Sequence, residues 1–182
     1  MKRAQLAAAF LVMTVVSAKA WAQDAKWKDV SPPNCSCSVQ MPGEPTESKQ
    51  TFDTEIGKVD AYMYILSADG GKVAYLLGFN DYDKAKVKKA DKQKMLEGAK
   101  NGAVTNVGGK LIGEKKVEVA GYPGLEIEVE VPAKGPQPAS KVFARIVIAN
   151  NRLFQTLVVM PTATVKGLDV RKFLDSLKIT YK

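Results

Sequence analysis

The run Leu125-Glu126-Ile127-Glu128-Val129-Glu130-Val131 alternates apolar and acidic residues without a fault. Successive side chains of a strand point to opposite faces, so this run fits a strand with one apolar and one polar face. The segment from Val142 to Ile148 is its expected partner, reached across the Pro132–Ser140 loop, which holds three prolines and a glycine. Asn150-Asn151 then turns the chain into a strand from Arg152 to Met160. On the other side, the strand from Lys110 to Ala120 ends at the tight turn Gly121-Tyr122-Pro123-Gly124.

The first half carries a second set of strands. Trp27 to Val30 reads as a short strand, and Cys35 to Met41 as a half-buried one stopped by Pro42-Gly43-Glu44-Pro45. Thr46 to Ile56 and Lys58 to Ser67 read as a hairpin around Gly57, and Asp69-Gly70-Gly71 turns into a third strand, Lys72 to Phe79. Two segments change period. Asp83 to Asn101 lacks proline and spaces Val87, Ala90, Met95, Leu96 and Ala99 for a helix, with Asn101-Gly102 as its stop. Leu168 to Leu177 places Val170, Phe173, Leu174 and Leu177 on one helical stripe that must pack on the sheet, and Ile179 and Tyr181 suit a closing edge strand. No βαβ rhythm repeats, which argues against a parallel Rossmann sheet and for an α+β fold: an antiparallel twisted sheet with helices packed on it. The alternation at Leu125–Val131 predicts one dry and one wetter face.

The N-terminus reads as a signal peptide, 1–22. Lys2 and Arg3 precede the apolar run Leu6 to Val16, and Ala20-Trp21-Ala22 offers the small residues that a signal peptidase reads. The apolar run is shorter than the roughly 20 residues of a membrane span. Cleavage after Ala22 leaves a single domain, 23–182, in the periplasm or outside the cell, large enough to bury a core. It lowers the net charge from +8 to +5, because Lys2, Arg3 and Lys19 leave with the leader. That balance is too modest to argue nucleic-acid binding. The chain has no histidine, which excludes a Ser-His-Asp triad, a Cys-His dyad and every His-ligated metal site. No cofactor is implied, and no catalytic constellation stands out.

Four motifs in order resemble those of secreted PsbP-like proteins. Met41-Pro42-Gly43-Glu44-Pro45 resembles the end of their F-S-V-x-x-P-G-x-P opening. Gly121-Tyr122-Pro123-Gly124-Leu125-Glu126 resembles their G-Y-P-G-R-E turn, with Leu125 where Arg is common. Asn151 to Leu157 resembles their R-L-Y-Q-L strand, and Phe173 to Lys178 their closing F-L-x-S-F-K. The resemblance implies an α/β/α sandwich around an antiparallel sheet, a role in binding or assembly with larger complexes, and no enzymatic activity. Cys35 and Cys37 stand where that family has Phe and other residues.

Three features remain as candidates for function. Cys35 and Cys37 share one strand face; i and i+2 in an extended strand lie roughly 6.5–7 Å apart. Disulfides span about 4.4–6.8 Å between Cα atoms, so a bridge here needs a kink near Pro33-Asn34 and closes a tiny, easily reduced loop. Packing as small buried residues is the first reading, and thiol redox or Cu(I) chemistry the second. Lys86, Lys88, Lys89 and Lys92 crowd the first helix, and Lys134 sits in the proline-rich loop; both suit an anionic partner, although lysines on a helix also suit a plain solvent face. Glu126, Glu128 and Glu130 form a carboxylate ladder that Lys141 and Arg145 on the partner strand can face as cross-strand ion pairs. The reading is therefore a non-enzymatic exported domain that binds a protein partner or an envelope component. The alternative is a small periplasmic thiol protein using the Cys35-x-Cys37 pair.

Overall fold

The computed structural model describes residues 27–54, 57–164 and 167–181, so the signal-peptide expectation for 1–22 lies outside the described residues. Two sheets organise the chain. The small one joins β1 (Lys28–Val30), β2 (Cys37–Met41) and β10 (Lys178–Ile179) in the order β1-β2-β10. The large one joins β3 (Thr46–Thr54), β4 (Gly57–Ala68), β5 (Val73–Asp81), β6 (Lys110–Val119), β7 (Tyr122–Val131), β8 (Ser140–Ala149) and β9 (Arg152–Pro161). Its order is β3-β4-β5-β9-β8-β7-β6. Two meanders thus meet at β5 and β9, which pair antiparallel from Ala74↔Val159 to Asp81↔Arg152.

The helices cover both faces. α2 (Lys92–Val107) packs on β7 and β8, where Leu96 and Ala103 meet Leu125, Ile127, Val129, Ala144 and Ile146. Lys100 ties this helix to β6 through Glu114 at 2.8 Å. α3 (Gly167–Asp175) and the small sheet cover the other face, where Val170, Phe173 and Leu174 pack with Val39, Met41, Leu77, Val147, Phe154 and Val158. The stripe of Val170, Phe173 and Leu174 on α3 is buried as its i, i+3, i+4 spacing predicts. The expected wetter face is present at Glu130, which is exposed, and at Glu128, which is half-buried; it is dry at Glu126, 9% exposed, where α3 lies across it.

The first helical segment divides. α1 (Lys84–Lys89) ends at Ala90, whose ψ of 146° is extended, and Asp91 starts α2 by accepting hydrogen bonds from the Gln93 and Lys94 backbone N–H groups. An N-cap side chain satisfies donors that a continuing helix would spend internally, so the periodic stripe breaks there. α2 also runs past Asn101-Gly102 to Val107. Burial of Ala103 outweighs the weak helix propensity of Gly102, and the left-handed Gly108 (φ 62°) supplies the stop instead.

One glycine of the Gly121-Tyr122-Pro123-Gly124 motif has a packing cause. A Cβ on Gly124 would stand 2.6 Å from the Ile146 carbonyl oxygen and 3.0 Å from Val147 Cγ2 on the neighbouring strand. Gly124→Ala should therefore cost about 1–3 kcal/mol in denaturant unfolding. An unchanged midpoint would show that β7 and β8 separate freely at this point.

Candidate functional site

Directly paired residues on the α3 side of the sheet form a polar row across four strands. Lys115 pairs with Glu126, Glu126 with Arg145, and Arg145 with Thr156. The Arg145 guanidinium donates to one Glu126 carboxylate oxygen through Nε at 3.1 Å and Nη2 at 2.7 Å. It also donates to the Leu174 carbonyl and to Asp175, each at 2.6 Å. Arg171 donates to Glu126 and, at 2.6 Å, to Asp175, while Lys115 approaches Glu126 at 3.0 Å. The cross-strand ion pairs expected of the glutamate ladder are present: Arg145 takes Glu126, and Lys141 reaches Glu128 diagonally at 2.5 Å.

Burial alone would raise the Glu126 pKa, but hydrogen bonds from Arg171, Arg145 and Lys115 outweigh it and hold the carboxyl at about 2. Glu126 therefore stays ionised at neutral pH and is not tuned to exchange protons there. The cluster pins α3 onto β7 and β8 instead. Above it, a groove of about 360 Å³ opens between α3 and β6–β8, with Phe143, Val170 and Leu174 as its apolar wall and Lys115, Arg171 and Glu128 among its charged groups. Thr156, fully buried at the end of the row, has no hydrogen-bond partner for its hydroxyl among the described residues.

The lysines singled out in the sequence separate into two places. Lys86, Lys88 and Lys89 lie exposed on α1 and Lys92 opens α2; Lys84 and Lys94 extend the same exposed segment. The acids beside them are engaged locally: Asp83 accepts from the Lys86 backbone N–H at 2.9 Å, and Asp91 caps α2. Val87 is the buried residue of α1. Lys134 belongs to the β7–β8 loop, in an isolated bridge with Gln137. The helix end and that loop sit at opposite ends of β9: Tyr82 N–H donates to the Asn151 carbonyl at one end, and Thr162 N–H to the Ala139 carbonyl at the other. Ten residues of strand lie between, roughly 33 Å. Lys134 and the α1 lysines therefore do not form one patch.

Cys35 and Cys37 are buried, at 0% and 5% exposure, and bridged to each other. The two cysteines do not share a strand, contrary to the spacing's expectation, because β2 begins only at Cys37. Ser36 between them adopts a left-handed φ of 54°, and Asn34 one of 60°, which brings the two Cα atoms to 5.0 Å. The kink thus falls at Ser36 as well as beside Pro33. A bridged pair presents no thiolate for a soft metal.

Arg152 holds this loop, a role that sequence reasoning missed. Its guanidinium donates to the carbonyls of Asn34 and Cys35, makes a two-pronged pair with Asp81 at 2.6 Å on each arm, and lies 4.8 Å from the Phe79 ring centroid. The signal was non-local: Asp81 and Arg152 meet only because β5 pairs with β9. Among the described residues, no group of three or more His, Cys, Asp or Glu side chains is placed to hold a metal ion. No helix among them is long and apolar enough to cross a membrane.

No family model matches the sequence, and no curated protein matches it. Solved structures do. A crystal structure from Bacteroides thetaiotaomicron VPI-5482 superposes with a TM-score of 0.51 at 12% identity, covering 85% of this chain and 49% of that one, so this chain spans about half of it. The solution structure of cyanobacterial PsbP (CyanoP) from Synechocystis sp. PCC 6803 gives a TM-score of 0.51 at 10% identity, covering 90% of this chain and 98% of that one. At such identities the likeness concerns the fold. With an antiparallel sheet between α2 on one face and α3 on the other, the chain has the PsbP-like fold that its sequence motifs resemble.

Proposed function

We propose that this chain is a non-enzymatic exported domain that binds an anionic surface, on a protein partner or another envelope component, through Lys86, Lys88, Lys89 and Lys92. The observation that carries this reading is the exposed segment from Asp83 to Lys94, in which six lysines outnumber two acids, Asp83 and Asp91, that cap α1 and α2. Such a segment attracts anions at long range and holds them with little desolvation. It has no exposed aromatic or large aliphatic side chain to insert into a bilayer, so the contact is electrostatic. The paired state of the Glu126 cluster also supports a binding role over acid–base chemistry. The leader-like N-terminus supports export.

The test is the fourfold variant Lys86→Glu, Lys88→Glu, Lys89→Glu and Lys92→Glu. Each lysine near an anionic surface is worth about 1 kcal/mol, so charge reversal should weaken binding to envelope extract or to anionic vesicles well over tenfold. High salt should weaken the wild type in the same direction. Stability should move by less than about 1 kcal/mol, since the positions are solvated. A folded variant that binds both preparations as tightly as the wild type would refute the assignment.

A further inference from the structure

The Cys35–Cys37 loop holds more of the fold together than its three residues suggest. The Ser36 carbonyl accepts the Thr180 N–H at 2.8 Å, and Cys37 pairs with Ile179 of β10. The carbonyls of Asn34 and Cys35 converge on one nitrogen of Arg152, and Cys35 N–H returns to the Pro32 carbonyl at 3.3 Å. Four carbonyls and a strand end are thus arranged around a backbone that turns left-handed at Asn34 and Ser36. Serine disfavours that conformation more than asparagine does, and the sulfur bridge, with Arg152 on the two flanking carbonyls, accompanies a Cα spacing of 5.0 Å. Without the bridge, the stretch can relax toward the roughly 6.5–7 Å spacing of an extended strand. The Ser36 carbonyl would then turn away from Thr180.

We propose that the Cys35–Cys37 bridge is a redox-sensitive latch on the C-terminal strand β10. The chemistry is a thiol–disulfide exchange with an external dithiol. The dithiol supplies two electrons and two protons and becomes a disulfide; the Cys35–Cys37 S–S bond breaks and two S–H groups form. A loop this short restrains the unfolded chain little, so the bond's effect is on local structure rather than on global stability. β10 has only two residues, so it can open locally, at the cost of exposing Ile179, without opening the large sheet, and let a reductant reach sulfurs that are otherwise buried. By linkage, opening favours reduction and reduction favours opening by the same factor. The oxidised state keeps β10 on β2; the reduced state frees that edge of β2.

The experiment treats the full oxidised chain with dithiothreitol under native conditions, blocks the thiols by alkylation, and follows amide hydrogen exchange. Both cysteines should alkylate while the large sheet stays folded. Exchange at the Thr180 amide should accelerate roughly 100-fold or more, while central amides such as Ile146 keep their protection. The double variant Cys35→Ser, Cys37→Ser should reproduce the reduced pattern; should it fail to fold, the dithiol-treated wild type decides alone. Thr180 protection unchanged by reduction would overturn the latch. So would alkylation that proceeds only at the rate of global unfolding, as read from the Ile146 amide.

Discussion

Arg145→Ala should lower the unfolding free energy by about 3–5 kcal/mol, the usual cost of removing one partner from a buried ion pair. Arg145 is 7% exposed and joins three elements at once: Glu126 on β7, and the Leu174 carbonyl and Asp175 on α3. Its loss removes both donors to one Glu126 oxygen and leaves the Leu174 carbonyl without its charged donor, so Arg171 and Lys115 alone hold the buried carboxylate. The effect carries a pH signature. The Glu126 carboxyl is held at about 2 against an ordinary 4.5, so its contribution is fully present above about pH 4.5 and is lost as pH falls through about 2. That depression corresponds to about 3 kcal/mol in the wild type. Wild type and Arg145→Ala should therefore differ most above pH 4.5 and converge toward pH 2. Denaturant titrations across that range give the comparison. A loss below 1 kcal/mol at pH 7, or a difference that does not shrink in acid, would mean that the cluster does not anchor α3.

Arg152→Ala is expected to cost about 3 kcal/mol, by a different route. The carbonyls of Asn34 and Cys35 would both lose a charged donor; Asn34 is exposed and can turn to water, whereas the Cys35 carbonyl is buried, and an unsatisfied buried acceptor costs about 1–3 kcal/mol. The stacking on Phe79 adds about 1 kcal/mol. Asp81 is half-exposed, so its lost pairing contributes little. Lysine keeps the charge but not the planar fork, so Arg152→Lys should recover less than half of the loss. Calorimetric unfolding of both variants checks this. Full recovery by lysine would show that charge alone, and not the shared geometry of the two carbonyls, matters at this position.

Local patterns in the sequence read out well where one physical cause dominates. The alternation at Leu125–Val131 and the stripe Val170, Phe173, Leu174, Leu177 each follow from burying one face, and the glutamates announced their partner Arg145 because neighbouring strands bring them opposite each other. What stayed hidden depends on distant contacts or on single backbone angles. Nothing local says that β5 lies beside β9, so the Asp81–Arg152 pair and the docking of Arg152 on the cysteine loop could not be read. The break at Ala90-Asp91 interrupts a stripe that the periodicity bridges, because an aspartate serves equally as a helix surface residue and as a cap. The left-handed Ser36 carries no glycine signal, and the extended spacing read for the two cysteines followed from that omission. Arg171 and Asp175 join the Glu126 cluster from α3, an element whose polar face gave no hint of what it covers.

Lysine acetylation footprinting of the full chain, with and without envelope extract, locates the surface that binds. Lys86, Lys88, Lys89 and Lys92 should become protected together when extract is added and lose that protection at high salt, while Lys134, at the far end of the sheet, keeps its reactivity. Protection confined to Lys134, or to Lys115 in the groove beside α3, with the Lys84–Lys94 segment unchanged, would contradict it.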